Sequence, residues 1–195
     1  PWADAMGDEG SWKHGETWSP KDDAYFSFVR FMCGAKPYGL LQYSDLTVEE
    51  QTRYVQRCLF YGVFPSNQAD PNGSWYWVNP SVVGRHEQVF KRYMPIIRDA
   101  AQAGWEPLTW ARSHDDSVWT ERFGGGDAFY ITCFNPGPEA CETRIVLDPR
   151  LGVDAAWEVQ DRLSETALAL ASEGDVHYVS VRLGPEDASA LHFQR

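Results

Sequence analysis

The chain has 195 residues, 43% of them hydrophobic, enough to fill the core of one domain or two small ones and too apolar for a disordered segment. A formal net charge of -11 with no run of Lys and Arg argues against a nucleic-acid partner, and no apolar stretch approaches the roughly 20 residues needed to cross a bilayer. Nine Trp, nine Tyr and ten Phe provide flat rings that stack on sugars or bases, and the acidity favours sugars.

The opening segment PWADAMGDEGSWKHGETWSP interleaves Asp4, Asp8, Glu9 and Glu16 with Trp2, Trp12 and Trp18. Terminal tails seldom place large rings in water, so the segment reads as a strand end and loop beside a cleft. Carboxylates among rings are what glycoside hydrolysis needs: one protonates the departing oxygen, another attacks the anomeric carbon or activates water, and rings stack on the sugar. Spacing alone does not assign these roles, and a solvated acidic loop with one packed Trp stands beside this reading. There is no signal-peptide pattern, and Pro1 is not an initiator residue, so sequence upstream is expected and the compartment stays open between extracellular and cytoplasmic.

KDDAYFSFVRFMCGA then predicts a short apolar helix with acidic residues in its first turn. KPYGLLQYSD is a strand ending on Ser44 and Asp45. TVEEQTRYVQRCLFYG is a helix with Thr47 and Glu50 at capping-box spacing and Gly62 as its stop. VFPSN is another strand, and QADPNGSWYWVNP is a turn-rich loop holding Trp75, Tyr76 and Trp77. From Asn79 a longer helix carries Val89, Phe90, Tyr93, Met94, Ile97 and Ala101 on one face; Pro95 should kink or restart it, and Gly104 stands at the place of a left-handed cap. Strands alternating with helices, without hairpin signals, mean parallel pairing through crossovers. In such sheets sites gather at the carboxyl ends of the strands, which brings residues 4–18, 43–45 and 66–77 to one rim.

Beyond Gly104 the period falls to about two. WEPLTWAR, SVWTERFG, AFYITCFNPG, TRIVLDPR, AWEVQD, VHYVSVRLG and ASALHFQR follow at short intervals separated by turn residues, as in an antiparallel β-sandwich, with LSETALALASEGD as an edge strand or a solvent-side loop. The fold class is therefore α/β plus all-β, with residues 1–104 and 105–195 as two domains. Cys33, Cys58, Cys133 and Cys141 lack metal-site spacing; the first two fall on helical faces as buried thiols, and the last two flank FNPGPEA, where a hairpin disulfide would form if they faced each other. His14, His86 and His114 are scattered and read as surface residues. No nucleophile elbow, phosphate loop or cofactor motif is present, and no cofactor or metal is expected.

The order WADAMGDEG, KPYGLLQYSD, YGVFPSN, RYMPIIRDAAQAGWEP, WTERFG and FYITCFNPG resembles the C-terminal portion of a (β/α)8-barrel glycoside hydrolase with a following β-sandwich, as in α-galactosidase-like and related α-glycosidases. The resemblance covers nearly the whole chain as architecture. It implies that the first strand is strand six of the barrel, that five preceding units belong to the same polypeptide, and that the acid/base is Asp4, with Asp8 and Glu9 as competitors. It further implies an oligosaccharide or glycoside substrate, with Trp12, Trp18, Tyr43, Trp75 and Trp77 as platforms and Asp45 as a polar contact, and a nucleophile supplied from elsewhere. The α-amylase group shares the layout, but its His-Asp pair after strand seven is absent from residues 43–45. Two other readings stand beside this one: a noncatalytic carbohydrate-binding or interaction protein using the aromatic loops, and a small α/β hydrolase of esters or phosphates depending on His14.

Overall fold

The computed structural model describes residues 5–10, 21–43, 45–67 and 79–195, apart from the side chain of Val82. Three strands, β1 (Met6–Gly10), β2 (Tyr38–Gln42) and β3 (Val63–Asn67), pair in parallel in that order, with Asp8 beside Leu40 and Leu40 beside Pro65. Pro65 lacks a ladder donor and sits on the edge strand of this sheet, where that is tolerated.

Helix α1 (Asp23–Cys33) connects β1 and β2, starting where the Asp22 carboxylate accepts from the Tyr25 N–H. Helix α2 (Val48–Tyr61) starts with the expected capping box, Thr47 and Glu50 each accepting the other's backbone N–H, and ends on Gly62 in the left-handed region at φ 63°. Helix α3 (Pro80–Ala103) is capped by Asn79 with Pro80 in its first turn. It runs through Pro95 as one helix instead of restarting there. Pro95 and Lys91 are both exposed, so the carbonyl that loses its donor lies on a flank that water reaches. Gly104 does have a positive φ of 89°, but its ψ of 131° is outside the left-handed helical region. Among the described residues no helix is long and apolar enough to cross a membrane.

The remaining ten strands are β4 (Trp105–Glu106), β5 (Ala111–Ser113), β6 (Trp119–Gly125), β7 (Ala128–Phe134), β8 (Cys141–Leu147), β9 (Glu158–Asp161), β10 (Thr166–Leu168), β11 (Leu170–Glu173), β12 (Val176–Leu183) and β13 (Ala188–Gln194). They form a six-stranded sheet ordered β10-β9-β13-β7-β6-β4 and a four-stranded sheet ordered β11-β12-β8-β5, with every pairing antiparallel. Phe129, Ile131, Leu191 and Phe193 of the first share a core with Ile145, Leu147, Val179 and Val181 of the second. The segment read as one edge strand or loop supplies two edge strands, β10 on the larger sheet and β11 on the smaller. The chain changes sheets at Ala169.

An earlier change of sheet, between β7 and β8, removes the hairpin disulfide. β7 and β8 do not pair; β7 lies between β6 and β13 and β8 between β12 and β5, so Cys133 and Cys141 are both free. Burial pushes both thiols up. Cys33 and Cys58 are buried thiols as expected.

Alternation in β7 sends Tyr130, Thr132 and Phe134 to the other face of the larger sheet, which packs on the helices. Phe134, Ala188 and Ala190 belong to the same core as Tyr54, Leu59, Phe60 and Ile97. Phe60 and Phe134 lie with ring centroids 5.6 Å apart, and Thr132 donates a 2.8 Å hydrogen bond to the Phe60 carbonyl. Helix α2 therefore packs on both neighbours, as its Tyr54 hydroxyl also donates to the Leu40 carbonyl of β2 at 3.0 Å.

Candidate functional site

Helices cover one face of the parallel sheet. Tyr38, Leu40 and Val63 point into that core and are at most 1% exposed. By alternation Gly7, Glu9, Gly39, Leu41, Phe64 and Ser66 turn to the opposite face, where they line a groove of about 440 Å³. Gly7 and Gly39 are neighbours in register and form a side-chain-free floor. A Cβ on either would meet nothing nearer than 3.7 Å, so the surrounding chain does not itself require glycine there.

Glu9 stands at the carboxyl end of β1 on this open face. Its Oε2 accepts a 2.8 Å hydrogen bond from the hydroxyl of Tyr43, the residue that follows β2. The carboxylate pushes the Tyr43 phenol up, because the bond is lost when the hydroxyl gives away its proton. The sequence marks Tyr43 as a stacking platform, and the structure gives its hydroxyl a polar contact with Glu9.

Asp8 has the opposite orientation. Its Oδ2 lies 3.0 Å from Nζ of Lys21, whose side chain is only 7% exposed and whose ammonium sits 3.9 Å from the centroid of the Tyr25 ring. The pair fastens β1 to the approach of α1. Removing Asp8 would leave a buried cation without its counter-ion.

Asp45 is exposed and pairs with Arg85 of α3 at 3.2 Å. Next to it the buried His86 ring places Nε2 2.9 Å from the Leu46 carbonyl. His86 is thus a core residue joining α3 to the β2–α2 loop, whereas the sequence reading had put it at the surface. Burial lowers its pKa. His114 is exposed as expected. Asp4, Trp12, His14, Trp18, Trp75 and Trp77 lie outside the described residues.

The structure brings the side chains of Glu9 and Tyr43 together, while the Asp8 carboxylate is engaged by Lys21 and by the Glu9 backbone N–H. Sequence reasoning missed Leu41, Phe64 and Ser66, which share the open face. The two-residue alternation of GLLQ and VFPSN contains that signal once it is known which face the helices cover.

No protein-family model matches the sequence, and no curated protein matches it. Solved structures similar in fold are glycoside hydrolases. A noncanonic maltogenic α-amylase from Thermotoga neapolitana aligns over 88% of this chain and 45% of its own, at 12% identity and a TM-score of 0.54. A glycoside hydrolase family 30 subfamily 8 xylanase from Clostridium acetobutylicum aligns over 98% of this chain and 48% of its own, at 8% identity and 0.50. An α-amylase from Geobacillus thermoleovorans, solved with acarbose, aligns over 82% and 39%, at 10% identity and 0.50. This chain spans less than half the length of each, and at these identities the likeness concerns fold alone.

Proposed function

We propose that this chain is the distal part of a glycoside hydrolase, in which β1, β2 and β3 with their helices are the last units of a (β/α)8 barrel over residues 1–104 and residues 105–195 form a C-terminal β-sandwich domain. In a barrel of parallel strands, helices lie outside, and catalytic groups project inward from the carboxyl ends of the strands. Glu9 meets both conditions, being on the helix-free face and at the carboxyl end of its strand. Asp8 meets only the second, and its carboxylate is engaged by Lys21. Asp4 precedes β1 in sequence, while the carboxyl rim lies beyond Glu9.

The observation that carries this reading is the Glu9–Tyr43 pair on the face opposite the described helices. In the reaction Glu9 serves as the acid/base: it delivers a proton to the glycosidic oxygen as the bond to the anomeric carbon breaks, then takes one from the incoming water. Tyr43 fixes the rotamer of the carboxyl group. The glycine floor and Phe64 leave room for a sugar ring, and Trp12, Trp18, Trp75 and Trp77 are the further platforms. The second carboxylate comes from the preceding strands of the same polypeptide, and the substrate is an oligosaccharide or glycoside.

The test is Glu9→Gln in the full-length protein, assayed on aryl glycosides with good and poor leaving groups. Hydrolysis of the poor leaving group should fall about 10²–10⁴-fold, while the activated glycoside, which needs no proton, loses far less in the glycosylation step. Equal losses on both would refute the acid role. Glycan binding without turnover by the wild-type protein would make it a binding protein instead.

A further inference from the structure

A second pocket, of about 400 Å³, opens at the smaller sheet between the approach to β5 and the turn after β8, and it is lined by Trp110, Arg112, Val146, Asp148, Arg150 and Val176. This is within the range of small-ligand sites. Trp110 has φ 52°, a region that a bulky side chain rarely occupies and that Gly or Asn would occupy readily. The strained residue is held by a 2.8 Å hydrogen bond from the Asp148 N–H to its carbonyl, so the indole and the carboxylate rise from one fixed point.

The polar groups around the ring are ordered too. Arg122 is buried, lies 5.0 Å from the ring centroid, and donates to the carbonyls of Leu108 and Gly124. Arg150 lies 5.5 Å from the centroid with its side chain 67% exposed, and donates to both oxygens of Asp148 at 2.8 and 2.7 Å. These bonds, together with the Arg150 N–H, hold the Asp148 carboxyl down to about 2. The result is an indole ring with two guanidiniums over it, Arg122 buried and Arg150 exposed, the latter forming a donor–acceptor fork with Asp148. Arg112, exposed and level with Val146 in register, adds a second donor.

A pyranose has the matching chemistry, an apolar C–H face that lies on an indole and rim hydroxyls that both donate and accept. An anion fits less well, because the Asp148 carboxylate itself lines the pocket and already takes the Arg150 charge. We propose that this pocket binds a neutral pyranose unit of a glycan, separately from the groove at Glu9. The assignment does not rest on the catalytic reading above.

The experiment is calorimetric titration of the full-length protein carrying Glu9→Gln, which suppresses turnover, with maltohexaose, xylohexaose and cellohexaose at millimolar concentration, repeated with Trp110→Ala, Trp110→Tyr or Arg112→Ala added. The expected result is binding of at least one oligosaccharide that weakens tenfold or more when Trp110→Ala is added, is largely kept with Trp110→Tyr, and weakens with Arg112→Ala. Because Arg112 is exposed, its variant keeps the test readable if Trp110→Ala does not fold. The proposal is overturned if none of the three binds, or if adding Arg112→Ala or Trp110→Ala leaves binding as it is in the Glu9→Gln protein.

Discussion

The β-rich region covers its sheets on the faces that need it: the six-stranded sheet has the four-stranded sheet against one side and α2 and α3 against the other. In the α/β region, among the described residues, the helices cover one side of the parallel sheet, and Gly7, Gly39, Leu41, Phe64 and Glu9 line a groove on the other. Apolar residues on the far flank also remain in water, with Phe28, Phe31 and Met32 of α1 exposed by 62%, 66% and 64%. Contiguous exposed apolar surface marks a place where something else binds. Helix α2, packed on both, couples the parallel sheet to the β-rich region.

The largest effect that would break this coupling is at Phe134, which is fully buried and packs on Phe60 of α2. Phe134→Ala should cost about 3–5 kcal/mol. Followed by chemical denaturation with far-ultraviolet and tryptophan signals, the two regions should lose structure together; a β-region transition left at its wild-type midpoint would show that the regions do not depend on one another.

Gly62 sharpens the same comparison from the α/β side. It has φ 63°, and an added Cβ would lie 2.4 Å from Cε1 of Phe123, the residue of β6 that seals the junction. Gly62→Ala should destabilise by about 2–3 kcal/mol through strain and overpacking. In a Phe123→Leu background the penalty should shrink, and a double-mutant cycle reads the coupling. Strict additivity would mean that the contact is not felt.

The smallest effect is a pH dependence shared by the two regions. Burial lowers the pKa of His86, at the α3 junction, and of His192, stacked on Tyr130 in the larger sheet. The folded state then takes up protons less readily than the unfolded chain, whose histidines titrate near pH 6.5. Stability is present above about pH 6.5 and is lost as pH falls through the lowered folded values. Denaturation midpoints at pH 7.5 and 5.5 should show this loss, and His86→Gln, which keeps a donor for the Leu46 carbonyl, should reduce it. An identical pH slope in the variant would remove His86 from the account.

Much of the fold was legible in local chemistry. The capping box at Thr47 and Glu50, the stop at Gly62, the cap at Asn79 and the two-residue period beyond Gly104 each act within a few residues, so they survive in the sequence as patterns. The parallel pairing of the first three strands followed from the helices between them. What failed depended on partners distant in sequence. Cys133 and Cys141 look like hairpin neighbours until the chain changes sheets, and His86 looks polar and exposed until the Leu46 carbonyl meets it.

The site divides in the same way. Residue types and order alone determined that Glu9 and Tyr43 would stand at the carboxyl ends of neighbouring parallel strands, because backbone direction and strand period are local properties. Which of two adjacent carboxylates faces the groove was decided only by tertiary structure. Asp8 and Glu9 are equivalent as sequence; the helices that bury Tyr38, Leu40 and Val63 define an inside, Lys21 takes Asp8 on that side, and Tyr43 meets Glu9 on the other.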